Sequence, residues 1–127
     1  MYDYLSSILY HIKLRAFFFF LVSGSLLCFA GSLDPIKVKG KIVLCQRGEN
    51  ARIEKGTECL RAGAVGMILA NDEISGNDLS ADPHVLPASH ISYTDGQIIF
   101  AYLNRTKYLS FSLLTVIFEL VRPKIIF

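Results

Sequence analysis

"GKIVLCQRGENARIEKGTECLRAGAVGMILAND", residues Gly40 to Asp72, decides the fold. Ile42, Val43, Leu44 and Cys45 form an unbroken apolar run, the pattern of a strand covered on both faces. Arg47 and Gly48 end it. From Asn50, a residue type favoured as an N-cap, Ile53, Gly56, Thr57, Leu60 and Ala64 recur at helical spacing and predict one packed face. Glu49, Glu54, Lys55, Glu58 and Arg61 then fall largely outside it. Gly56 lowers helix stability by up to ~1 kcal/mol relative to Ala, a cost that close approach of the helix to the sheet would offset. Gly63 is a natural helix stop, and "AVGMILA", Ala64 to Ala70, is a second buried strand. Two buried strands separated by a helix of this length predict a right-handed parallel crossover unit.

Upstream of this unit, "GSLDPIKVKG" is a turn-rich entry in which Asp34-Pro35 initiates a turn. Downstream, "NDEISGNDLSADP" is an exposed, acidic, turn-forming loop. Ser89 to Ser92 is a short strand, after which Thr94 opens a helix, with Thr94 and Gln97 as a capping box and Tyr93 and Ile98 as its hydrophobic staple. Ile98, Ile99, Tyr102 and Leu103 form the packed stripe, and Asn104 and Arg105 end the helix. "YLSFSLLTVIFELV", from Tyr108 to Val121, is too short to span a bilayer and rich in β-branched and aromatic residues, so it reads as a terminal strand. These elements make the fold class α/β (α+β).

The chain has 127 residues, room for one small domain. Its thirteen basic and eleven acidic residues are interspersed and leave a formal charge of +2, which gives no electrostatic footprint for nucleic acid. The first thirty residues differ from the rest, because His11, Lys13 and Arg15 precede "AFFFFLVSGSLLCFA", and Ala30, Gly31 and Ser32 follow. That is the layout of a secretory signal. A membrane anchor is the rival reading, but the run from Ala16 to Ser32 falls short of the ~20 apolar residues a span requires, and Ser23, Gly24 and Ser25 interrupt it. A non-native or merely buried leader is the third. The chain divides into an apolar leader over 1–26, a domain over 27–120 and a tail over 121–127.

No constellation in this sequence carries catalytic chemistry. There is no G-x-S-x-G elbow, and adjacent Ser89 and His90 on a strand point to opposite faces. Asp78, Asp82, His84 and His90 cluster in sequence without a zinc spacing, the cysteines at 28, 45 and 59 lie far apart, and the acidic loop lacks the ligand pattern of an EF-hand. The glycines form neither G-x-G-x-x-G nor a P-loop. No catalytic residue, metal or cofactor is assigned.

"GSLDPIKVKGKIVLCQRGENARIEKG", "AGAVGMILAND", "ADPHVLPASHISYTDG" and "YLNRTK" together closely resemble the protease-associated domain of plant subtilisin-like serine proteases, from about Leu27 to Tyr108. That resemblance implies a small α/β module, a β-rich core (open barrel or sheet) flanked by about two helices, inserted in a catalytic domain and associated with protein contacts, substrate access and oligomerisation and not with bond cleavage. Segments matching the family's catalytic aspartate, histidine, oxyanion asparagine and nucleophilic serine are absent from this sequence. The expected function is a non-catalytic module with protein or peptide partners, among them a subtilase catalytic domain. The alternative is a fragment of a subtilisin-like serine endopeptidase. The expected setting is extracellular, with membrane anchoring as the alternative. Cys28 and Cys45, both in the family-like stretch, are expected to form a disulfide that stabilises by ~3 kcal/mol in the chain-entropy model, leaving Cys59 free and buried. Asn104, in the triplet "NRT", is the expected glycosylation site.

Overall fold

Apolar side chains on both sides of each central strand fix the architecture. In a computed structural model, which describes residues 23–105 and 124–126, the element order is α1 (Ser23–Leu26), α2 (Pro35–Val38), β1 (Ile42–Gln46), α3 (Arg52–Arg61), β2 (Gly66–Ala70), β3 (Ala88–Ile91), α4 (Tyr93–Arg105) and β4 (Lys124–Ile126). The strands form one sheet in the order β1-β2-β3-β4. β1 pairs parallel with β2, Ile42 opposite Gly66, and β2 pairs parallel with β3, Met67 opposite Ala88. β4 joins antiparallel on β3, with His90 opposite Lys124. The fold is mixed α/β, a three-stranded parallel sheet extended by one antiparallel strand. The terminal strand expected at Tyr108 to Val121 and most of the 1–26 leader lie outside the described residues; β4 sits instead within the stretch read as a tail. Among the described residues no helix is long and apolar enough to cross a membrane.

Period-two alternation sorts the core into two layers. Val43, Cys45, Met67, Leu69 and Ala88 face one side, where they meet Cys28, Leu33, Cys59 and Ala62. Ile42, Leu44, Ile68, Ala70 and Ile91 face the other, where Ile99 and Leu103 of α4 cover them. The unbroken apolar run of β1 is thus buried on both faces, as its composition requires.

Both long helices begin and rotate differently from the sequence expectation. α3 starts one residue later than Asn50 would place it: Ala51 is the N-cap, and the Ala51 amide donates to Glu54 Oε2 at 3.3 Å. Asn50 is drawn inward instead, donating to the Cys28 carbonyl at 3.4 Å and accepting from Lys55. The buried face of α3 is Lys55, Gly56, Glu58 and Cys59, whereas Ile53, Thr57 and Leu60 are exposed. Hydrophobic spacing misplaced this face because Lys55 and Glu58 find polar partners under an overlying segment, so burial costs them less than their charge suggests. Gly56 does mark a close approach, but to the segment before β3 and not to the sheet: a Cβ there would lie 3.1 Å from His84 Nδ1 and 3.2 Å from Leu86 Cδ2. Gly63 ends the helix as expected, with φ +83°.

α4 is closed at its start by Ser92 and Asp95, not by Thr94 and Gln97. The Asp95 amide donates to Ser92 Oγ at 3.1 Å, and that hydroxyl donates to Asp95 Oδ2 at 2.8 Å. The Thr94 hydroxyl turns outward to Asn77 Oδ1, 3.1 Å away. Ile98 lies exposed, and the packed stripe is Gly96, Ile99 and Leu103, with Phe100 and Tyr102 half-buried beside it. Gly96 permits this contact, since a Cβ would sit 2.9 Å from Ala70 Cβ.

Candidate functional site

The polar residues of one sheet face build two linked features, a strap and a braced loop. The strap, residues 27–33, lies over α3 and β1. Its anchor is Glu58, only 3% exposed, whose two carboxylate oxygens accept the Gly31 and Leu33 amides at 2.9 Å each. Arg61 donates to the same carboxylate from Nε at 2.7 Å and from a terminal nitrogen at 2.6 Å. Burial works to raise the Glu58 carboxyl, but Arg61 and the two amides outweigh it and hold the group below its ordinary value. Lys55, fully buried, donates to the Leu27 carbonyl at 2.6 Å and to Asn50 Oδ1. Burial lowers its ammonium from 10.5 to about 8.

Covalent chemistry enters beneath the strap. Cys28 is bonded to Cys45 with the sulfurs 2.01 Å apart, and Cys59 is the free thiol. Although far apart in sequence, the three cysteines converge: Cys59 Sγ lies 3.5 Å from Cys45 Sγ, and all three sulfurs fall within 4.8 Å of one another. Desolvation pushes the Cys59 thiol up to about 12, the opposite of an activated thiolate. With Cys28 and Cys45 joined, only Cys59 retains a thiol, so the group does not present three thiolates to a metal. Sequence spacing gave no hint of this convergence; only the placement of Cys59 in the last turn of α3, against Cys45 of β1, produces it.

The loop between β2 and β3 is braced from below. Asn71, expected at the edge of an exposed surface, is fully buried and organises the turn: its Nδ2 donates to the Gly76 carbonyl at 3.0 Å and to the Asp78 carbonyl at 2.7 Å. His90 Nε2 donates to Asn71 Oδ1 at 2.6 Å, and its Nδ1 meets both backbone groups of Ser80, the amide at 3.1 Å and the carbonyl oxygen at 3.0 Å. Burial holds the His90 imidazole below its ordinary value, against the opposing pull of the Ser80 backbone. Arg52 clamps the far end of the loop, contacting Asp82 through Nε at 2.5 Å and a terminal nitrogen at 2.9 Å. Hydrogen bonding from Arg52 keeps the Asp82 carboxyl low. Ile74, 96% exposed, stands at the tip.

Chemically, the arrangement positions backbone. Asp82 is engaged by Arg52, His90 by Asn71 and Ser80, and His84 Nδ1 is buried without a hydrogen-bond partner among the described residues. Asp78, Asp82, His84 and His90 are not brought together as a ligand group; among the described residues the grouped potential ligands are the three cysteines. Asn104 occupies the last turn of α4, while Thr106, the third residue of its triplet, lies outside the described residues.

Comparison with known proteins agrees with this architecture. The PA domain family matches residues 18–99. The chain is 58% identical over 86 residues to the subtilisin-like protease SBT5.4 of Arabidopsis thaliana, covering 68% of this chain and 11% of that protein. It is 52% identical over 81 residues to SBT5.3 of the same plant, covering 64% of this chain and 10% of the relative. SBT1.7 of Arabidopsis thaliana is 53% identical over 77 residues, 61% of this chain and 10% of its own length. The chain thus spans about a tenth of the length of these relatives and corresponds to their PA region, with no catalytic domain evident. A sheet covered on both faces, a strap tied across it and a family match over most of that unit lead to one assignment: this chain belongs to the PA domain family, in the form found in plant subtilisin-like proteases.

Proposed function

We propose that this chain acts as a non-catalytic PA module of subtilase type, which binds protein or peptide partners and governs their access to a protease active site. The observation that carries this reading is the braced loop: Asn71, His90 and Arg52 spend their hydrogen-bonding capacity on holding residues 72–83 in place, with Ile74 outward. A pre-ordered loop presenting an apolar tip loses little entropy when it docks, which suits contact and not turnover. The partner in view is a subtilase catalytic domain or a peptide approaching it, and the setting is extracellular, where the disulfide between Cys28 and Cys45 persists.

Titration of the full chain against a subtilisin-like protease deleted of its own PA domain tests this. Saturable association, weakened at least ~10-fold by Ile74→Asp with unchanged thermal stability, is expected for a central apolar contact. Absence of association, or an Ile74→Asp variant that binds as well as the parent, refutes it. A second reading, a piece of a serine endopeptidase, draws on the small share of each relative that the chain covers. A fluorophosphonate probe separates chemistry from contact: the isolated chain should show no labelled serine, because the triad and oxyanion segments are missing together. Stoichiometric labelling lost in His84→Ala or His90→Ala would restore a catalytic role.

A further inference from the structure

We propose that Cys45 has two alternative partners: the thiol of Cys59 displaces Cys28 to form a Cys45–Cys59 bridge, releasing Cys28 and with it the covalent hold on the strap. Three observations support it. Cys45 Sγ is bonded to Cys28 and at the same time in 3.5 Å contact with Cys59 Sγ. All three cysteines are fully buried, so no outside thiol competes while the fold is closed. Cys28 holds φ +50°, the sole non-glycine residue in the left-handed region among those described, and detachment from Cys45 frees its backbone to relax.

The exchange balances internally. Cys59 gives up its proton, its sulfur bonds to Cys45 Sγ as the Cys28–Cys45 bond breaks, and Cys28 leaves with the electron pair and takes up a proton. One thiol and one disulfide stand on each side, so no oxidant or reductant is consumed. Displacement at sulfur requires the three atoms nearly in line, which would set Cys28 and Cys59 farther apart than the 4.8 Å that encloses the group. The Cys59 side chain must therefore swing before it attacks, and its high thiol pKa adds to the barrier. Exchange is slow in the closed fold and follows excursions of the strap. Once Cys28 is released, the strap is held by hydrogen bonds from Lys55, Asn50 and to Glu58, while β1 becomes tied directly to α3.

Trypsin can cut at Lys41, Arg47, Lys55 and Arg61, which places the three cysteines on separate peptides. The full chain and a Cys28→Ser variant are held in a reduced and oxidised glutathione buffer, quenched in acid, alkylated and mapped without reduction. The parent is expected to yield the Cys28–Cys45 peptide together with a slowly growing Cys45–Cys59 peptide in which Cys28 is alkylated. Cys28→Ser is expected to lose both free thiols into Cys45–Cys59. A folded Cys28→Ser variant that keeps two alkylatable thiols overturns the proposal. Should that variant fail to fold, the parent decides. Glutathione adducts at Cys28 or Cys45 without any Cys45–Cys59 peptide, a bridge that never opens, or Cys28–Cys59 in equal yield would each overturn it.

Discussion

Replacing Glu58 by Ala removes the acceptor on which the strap rests. The carboxylate receives the Gly31 and Leu33 amides at 2.9 Å each, and neither amide retains that partner in the variant. A hydrogen bond to a charged group contributes about 1.5–3 kcal/mol, and a buried donor left unpaired costs about 1–3 kcal/mol. Water reaching the half-open Gly31 side recovers part of this, so the expected loss is about 2–4 kcal/mol for the two amides together. Arg61 is left out of that sum because its guanidinium is exposed and also donates to the Leu33 carbonyl at 3.0 Å. Glu58→Gln keeps one acceptor oxygen and should lose about half as much. Urea unfolding reads the difference as a fall in midpoint of roughly 1–2 M, with the slope unchanged. Amide exchange gives the local signature: protection at Gly31 and Leu33 should collapse, while that at Leu69 in the middle of β2 falls only by the global loss. A Glu58→Ala variant within about 0.5 kcal/mol of the parent, with Gly31 and Leu33 still protected, would refute the view that this carboxylate anchors the strap.

Gly96→Ala puts a Cβ 2.9 Å from Ala70 Cβ, and the resulting overpacking of about 1–3 kcal/mol exceeds the helix-propensity gain of up to ~1 kcal/mol, so thermal unfolding should shift downward. Acid should destabilise in two stages. His84 and His90 are held below 6.5 by burial, so the unfolded chain takes up protons first and stability falls as the pH drops below that value. Glu58 and Asp82, lowered in the fold, contribute stability present above their unfolded values and lost as the pH falls through their folded ones. On the alkaline side Lys55 acts in the same sense: from about 8 toward 10.5 the unfolded chain binds more protons, so this group makes stability rise with pH, and melting curves of Lys55→Met should lack that rise. Chain expressed through a secretory pathway is expected to carry a glycan at Asn104, read as a mass shift on its peptide that Asn104→Gln abolishes.

Strand composition and glycine chemistry were the legible part of this fold. The apolar runs at Ile42 and Met67 could be buried only between two layers, and Gly63 could only close a helix, so the parallel crossover followed. Helix faces were not legible in the same way. Hydropathy assigns Ile53 and Leu60 inward and Lys55 and Glu58 outward, and the fold reverses both, because a strap from residues 27–33 supplies backbone partners that no local window contains. Ser92 is hard to single out as a cap because Thr94 offers an equally good pattern two residues on, and Asn77, distant in sequence, takes up the threonine hydroxyl. Asn71 reads as an ordinary turn residue until His90 is seen to stand under it. In each case the missing information was a long-range polar contact.

Alternation along β1 places Cys45 on the strap side of the sheet, in a register that sets it opposite Leu69. A slip of one residue would turn Cys45 toward α4, out of reach of both other sulfurs. A chain already bridged between Cys28 and Cys45 is therefore barred from the slipped pairing. The bridge thus locks strand register as well as the strap, since one covalent bond is compatible with the observed alignment of β1 on β2 and not with its one-residue neighbour.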